Sequence, residues 1–246
     1  EDFADRRESK ITWVLGKNKH ARWAEMKGFD RVIEPPFEEV FRHDHELKGK
    51  WHREWFGNNN PIILELGCGR GEYTVGLAGL YPGKNIIGID IKGARMWRGA
   101  KDAHLMGLPN STFIRTRIEF TSSFFAPGEI DEIWLTFPDP QMKRIREKKR
   151  LSGPHFLNLY RQYLKDRGIV HLKTDCRELY DYTLALAKAN GLGIITSVTD
   201  LHREMPGDPL LSIRTHYEEL FLNQGVPITY LSFRLPYEKE IISPGE

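Results

Sequence analysis

From Pro61 onward the chain alternates short apolar runs with longer stretches whose apolar residues recur at helical spacing. Ile62–Leu66 stops at glycines, and Glu72–Leu80 follows as a predicted helix. Ile86–Asp90 is a second buried run, followed by a helical stretch through Met106. Thr112–Thr116 and Ile130–Phe137 predict two more strands, Phe156–Leu164 a helix, Ile169–Thr174 a strand and Arg177–Asn190 a helix. Near-continuous apolar strands separated by helices imply a parallel sheet covered on both faces. The tail changes character: Ile194–Asp200 and Ile228–Leu235 lie close enough to pair antiparallel, with a helix near Tyr217–Asn223 between them. The expectation is an α/β fold with a mostly parallel seven-stranded sheet, an antiparallel last strand and helices on both faces.

Residues 1–60 break this pattern. They are rich in charge and Trp, show no clear strand, and end in the turn-like Gly57-Asn58-Asn59-Asn60-Pro61. They predict a basic N-terminal extension over residues 1–50, partly helical, with the main domain over 51–246. A length of 246 residues suits one large domain and leaves little room for a second. The two cysteines, Cys68 and Cys176, make neither a disulfide framework nor a zinc site. With no apolar run long enough to span a bilayer and no signal-like start, the expectation is a cytoplasmic protein with no membrane partner and no metal.

The first candidate chemistry is Glu65-Leu66-Gly67-Cys68-Gly69-Arg70-Gly71, at the point where a first strand turns into a helix. A dinucleotide loop, Gly-x-Gly-x-x-Gly, would need its third glycine at position 72, which is Glu72. The loop therefore suits a ligand without phosphates. A carboxylate such as Glu65 would repel a pyrophosphate but tolerate the ammonium and sulfonium charges of S-adenosylmethionine. Asp90 closes the second strand, where an acid can accept both hydroxyls of a ribose; alone it would read equally as the cap of the next helix. Cys68 reads as a small residue between loop glycines rather than as a nucleophile.

A second candidate lies at the end of the fourth strand, Thr136-Phe137-Pro138-Asp139-Pro140. Reaction centres of open α/β sheets lie at carboxyl ends of strands, and the flanking prolines restrict where Asp139 can go. The run Lys143-Arg144-Ile145-Arg146-Glu147-Lys148-Lys149-Arg150 follows at once. A charge run is usually a solvated face, but this one hangs beside the methyl donor's expected place. Net charge is only +2, yet Arg6, Arg7, Lys10, Lys17, Lys19 and Arg22 form a second basic stretch, with Trp13 and Trp23 available for stacking. A chain nearly neutral overall and locally basic points to an enzyme acting on RNA.

These residues resemble the bacterial tRNA (guanine-N7-)-methyltransferases, the TrmB family, from about Trp51 to Leu235. The series comprises Asn60 to Gly67 with the glycine loop, Gly88-Ile89-Asp90, Phe137-Pro138-Asp139-Pro140 with Lys143 and Lys148-Lys149-Arg150-Leu151, Leu172-Lys173-Thr174-Asp175, and Thr215-His216-Tyr217-Glu218. The resemblance implies a Rossmann-like class I S-adenosylmethionine-dependent methyltransferase that forms 7-methylguanosine in the tRNA variable loop (m7G46). It implies that Glu65, Gly67, Gly69, Gly71, Asp90, Arg117, Ile118 and Asp139 hold the cofactor, with Asp139 at the catalytic centre. Lys143, Asp175, Thr215, His216, Tyr217 and Glu218 would contact the substrate guanosine. The expected partner is tRNA, with the protein a monomer or homodimer, no obligatory protein partner, and an N-terminal arm that orders only on RNA.

Two departures matter. Gln141-Met142 stands where the family often has Trp-Pro or Trp-His, and Arg117-Ile118 stands where it usually has Asp or Asn followed by Ala. An arginine cannot accept a hydrogen bond from the adenine amino group. Either the backbone or Glu119 supplies that acceptor, or cofactor affinity is weakened. Two alternatives stay open on the sequence: a methyltransferase for another RNA base or a small molecule, and a tRNA-binding module whose methylation is lost or partner-dependent. Guanine N7 carries a lone pair and no proton, so its methylation would need positioning and charge stabilisation rather than a base. Asp139 or Asp175 could hydrogen-bond the guanine N1–H and amino group as the ring becomes cationic.

Overall fold

The computed structural model describes residues 20–243. Eight strands form one sheet in the order β1-β4-β3-β2-β5-β6-β8-β7. They are β1 (Val32–Ile33), β2 (Ile62–Leu66), β3 (Asn85–Asp90), β4 (Ser111–Arg115), β5 (Ile130–Thr136), β6 (Leu164–Thr174), β7 (Gly193–Val198) and β8 (Thr229–Leu235). All pair in parallel except β8, which runs antiparallel to both β6 and β7. The expected architecture holds, with one correction: the sheet has eight strands, not seven.

The extra strand comes from the stretch expected to carry none. Val32 and Ile33 pair with Phe113 and Ile114 at the sheet edge. Two residues, only half-buried, give too short a run for any periodicity to show. Around them the chain is built into the fold: Met26, Val40 and Trp51 are buried, and Trp51 donates its indole N–H to the Phe124 carbonyl at 2.8 Å. Within the stretch expected as an extension over 1–50, Met26 and Val40 thus pack against the rest of the domain. Arg6, Arg7, Lys10, Trp13, Lys17 and Lys19 lie outside the described residues.

Central β2 is buried along its whole length, as a strand covered on both faces must be, whereas β7 alternates exposed and half-buried positions. Helices α1 (Glu72–Leu80), α2 (Gly93–Leu105), α3 (Pro154–Tyr160), α4 (Arg177–Ala189) and α5 (His216–Asn223) connect or flank the strands. The strands β2, β3 and β4 step outward in one direction and β5 and β6 in the other, so the order reverses between β2 and β5. Ligands of open α/β sheets bind at such a switch point, outside the carboxyl ends of the strands. Register places Glu65 beside Gly88 and Trp134, and Thr136 beside Lys173, at that end.

Candidate active site

The glycine loop is shaped partly by a ligand-facing opening and partly by packing. Gly67, Gly69 and Gly71 all have positive φ. A Cβ on Gly69 would meet nothing closer than 4.0 Å, so its inner face is open to the cleft. A Cβ on Gly71 would lie 2.5 Å from the Phe113 ring and 3.1 Å from the Cα of Gly99. Gly71 is thus required by the contact of the loop with α2 and β4. Cys68 is buried with its thiol pushed well up by burial and by the nearby Glu65 and Asp90 carboxylates, which makes it a poor nucleophile.

Asp90, at the end of β3, uses both carboxylate oxygens within the protein. One carboxylate oxygen accepts the Gly69 amide at 2.9 Å and the other accepts the Lys92 amide at 2.7 Å. It therefore joins the glycine loop to the start of α2 while still lining the cleft. Glu65 is buried at the end of β2 and accepts from the Thr74 amide at 2.8 Å, the Thr74 hydroxyl and the Thr136 hydroxyl. Burial raises its carboxyl to about 7 against those hydrogen bonds, which pull the other way.

Two cavities meet at this point. One of about 610 Å³ is walled by Ile91, Ile118, Leu151 and Phe156 and rimmed by Asp90, Arg117 and Glu119. The other, of about 460 Å³, is lined by Glu65, Gly69, Asp139, Asp175, Thr215 and Tyr217 among others. Gly67, Asp90, Asp139 and Leu151 border both. The first suits a nucleoside: apolar walls for a flat base, an acid at the strand end for ribose hydroxyls, and half-exposed Ile91 as ready apolar surface. Arg117 does not block it. Its guanidinium turns to Glu119 at 3.2 Å and lies 5.7 Å from the Phe120 ring centre. Glu119, whose carboxylate can accept hydrogen bonds as Arg117 cannot, lines the same cavity.

The Phe137–Pro140 loop is held in an unusual backbone state. Phe137 and Gln141 bracket it, both with φ of 47°, a conformation that non-glycine residues adopt at a cost of about 1–3 kcal/mol. The Phe137 amide nevertheless bonds the Lys173 carbonyl at 2.8 Å, which keeps the strained turn in register with β6. Asp139 is left exposed between the two cavities.

Of the residues expected to meet the guanosine, Asp175, Thr215 and Tyr217 line the second cavity. Glu218 does not. It is fully buried, 2.8 Å from the equally buried Lys173 ammonium and 2.9 Å from His202 Nε2. Lys173 also donates to the carbonyls of Leu211 and Ile213 at 3.3 and 3.2 Å. This internal cluster fixes the chain leading into α5, and Thr215 caps that helix by accepting the Glu218 amide. The His216 amide donates to Glu72 at 3.0 Å, so α5 is tied to the first turn of α1 just after the glycine loop. Sequence reading used Glu72 only to exclude a dinucleotide; its carboxylate in fact couples the two halves of the site.

The basic run is less available than its composition suggests. Arg150 is buried, holds the carbonyls of Gln141 and Met142 at 3.2 and 3.0 Å, and stacks over Tyr182. Lys148 and Lys149 line the nucleoside cavity, while exposed Lys143 lines neither. Ile91, Leu151, His155 and Phe156 were not anticipated as site residues. Single apolar residues beside loops carry no signature in one sequence, and only their placement reveals them.

An open, mostly parallel sheet with an apolar-walled cavity and an acidic strand end at its switch point is the architecture of an S-adenosylmethionine-dependent methyltransferase. Residues 59–231 match a family model described as "Putative methyltransferase". Among solved structures, a 16S rRNA methyltransferase, KamB, superposes with a TM-score of 0.60 at 12% identity, covering 84% of this chain and 99% of its own. A 16S rRNA (adenine(1408)-N(1))-methyltransferase from Catenulisporales acidiphilia gives 0.53 at 16% identity, covering 81% and 96%. These two share the fold. Closer likeness is to curated proteins named tRNA (guanine-N(7)-)-methyltransferase. That of Bacteroides thetaiotaomicron is 48% identical over 94% of this chain and 90% of its own length. That of Christiangramia forsetii is 50% identical over 89% and 98%, and that of Streptococcus suis 37% over 81% and 92%. The chain belongs to the tRNA (guanine-N(7)-)-methyltransferase family.

Proposed function

We infer that this chain transfers a methyl group from S-adenosylmethionine to N7 of a guanosine in tRNA, at position 46 of the variable loop. The observation that carries the reading is Asp139, exposed at the junction of the nucleoside cavity and the cleft formed with Asp175, Thr215 and Tyr217. The bound cofactor supplies an electrophilic methyl on a sulfonium. Every other requirement falls to the chain. Asp90, Ile118 and Phe156 would hold the cofactor's nucleoside, and Asp139 borders both cavities.

Because N7 bears a lone pair and no proton, no general base is needed. As the C–N bond forms and the C–S bond breaks, the purine becomes cationic and the sulfur neutral. Asp139 and Asp175 then act by accepting hydrogen bonds from the guanine N1–H and amino group, which are more acidic in the cation. Lys143 and His216, which line neither cavity, would contact the substrate from outside them. The test is incubation with methyl-labelled S-adenosylmethionine and unmodified tRNA. Label should be recovered as 7-methylguanosine and vanish when the variable-loop guanosine is replaced by adenosine. Label in another nucleoside, or none, would refute the reading.

A further inference from the structure

The acceptor cleft does not end at Tyr217. Arg70, Glu72, Arg95 and Tyr217 line it and also line a second groove, of about 640 Å³, that continues along the outer face of α2. Arg22 and Arg98 complete that groove's basic side. Its two carboxylates are already engaged: Glu72 accepts the His216 amide and lies 3.9 Å from Arg70, and Asp102 holds Arg98 Nε at 2.9 Å. Arg95 is exposed and, among the described residues, has no ion pair or side-chain hydrogen bond. It stands one helical turn from Arg98, so both reach the same face. Arg22 is held with its guanidinium 4.9 Å from the Trp97 ring centre, and Trp97 is itself anchored by its indole N–H to Glu25 at 2.8 Å.

We propose that this groove is a track for the RNA backbone, binding phosphates next to the nucleotide that enters the cleft. The proposal rests on the RNA-substrate reading above and extends it to a surface outside the 143–150 run. A base inserted into a cleft must be splayed from its neighbours, and the strand on either side then needs holding. Guanidinium forks suit phosphate oxygens, and an unpaired arginine at the junction gives up no ion pair to make that contact. Lys148 and Lys149 lie on the other margin, beside the nucleoside cavity. The cleft is thereby flanked by cations on both sides, although the chain as a whole carries only +2.

The test is tRNA binding by Arg95→Ala and by Arg22→Ala/Arg95→Ala, measured across a salt series, with Arg95→Lys as the charge-preserving control. Each lost phosphate contact should lower the slope of log affinity against log salt by roughly 0.7–0.9. The double variant should bind tRNA about tenfold more weakly at moderate salt, with cofactor affinity unchanged. Arg95→Lys should keep the wild-type slope. An alanine variant with wild-type affinity and slope overturns the proposal. A wild-type protein that binds tRNA but transfers no methyl would strike the reaction instead, and the salt slopes would still judge the groove.

Discussion

The buried pair between Lys173 and Glu218 offers the sharpest quantitative test of how this site is built. Both side chains are wholly inaccessible and their charged atoms lie 2.8 Å apart. Replacing Glu218 by Gln keeps the shape and removes the charge. The Lys173 ammonium would be left with the Leu211 and Ile213 carbonyls and the Tyr73 ring 5.3 Å away. Removing one partner of a buried pair costs about 3–5 kcal/mol, because the other charge stays desolvated. Against a total stability of about 5–15 kcal/mol this is a large fraction, and for a chain of this size it corresponds to a fall in Tm of roughly 10 °C. Lys173→Met should cost a similar amount. The double variant, with no charge left to strand except the His202 contact, should cost clearly less than the sum. Urea unfolding followed by tryptophan fluorescence reads all three. Single losses below about 1 kcal/mol that add in the double variant would refute the idea of a desolvated pair. Because this cluster sets the chain leading to Thr215, the singles should also raise KM for tRNA more than they lower cofactor affinity.

Other expectations follow from the same geometry. Asp139→Asn should lower the methylation rate at saturation of both ligands by about tenfold or more, in line with losing one charged acceptor; full activity in single-turnover assays would remove Asp139 from the chemistry. Gly71→Ala should destabilise by more than about 2 kcal/mol, since it adds left-handed strain to a clash with Phe113, whereas Gly69→Ala, which carries the strain without the clash, should cost only about 1 kcal/mol and bind cofactor weakly; equal melting curves would contradict the division of roles. Glu65 has a folded pKa of about 7, above its ordinary 4.5. The folded state therefore holds its proton where the unfolded state has lost it, so this group's contribution is full below about 4.5 and is lost as pH rises through 7. Glu65→Gln should flatten that decline in a pH series of melts. Glu132 behaves oppositely: burial pushes its carboxyl up, but His171 and Lys84 outweigh it and bring it down to about 2. Its stabilisation is present above about 4.5 and lost as pH falls toward 2, and Glu132→Gln should remove that acid-side loss.

The sequence by itself determined the alternation of strand and helix, the parallel core and the glycine loop with its following acids. These are local properties: a run of five buried residues such as Ile62–Leu66, or a chain reversal at glycine, shows in neighbours along the chain. It also carried the family, through an ordered series of motifs that no single motif supplies. Tertiary structure decided which side each motif residue faces. Gly71 and Glu218 sit inside motifs that read as ligand-binding, yet one packs against Phe113 and the other neutralises Lys173, because partners distant in sequence occupy the space around them. Val32–Ile33 joined the sheet for the same reason: an edge strand of two residues exists only because β4 is there to pair with it. Arg95 and Arg98 stand beside Tyr217 only because folding brings α2 and α5 together. Burial and adjacency are sums over long-range contacts, and a one-dimensional pattern records only the local part of them.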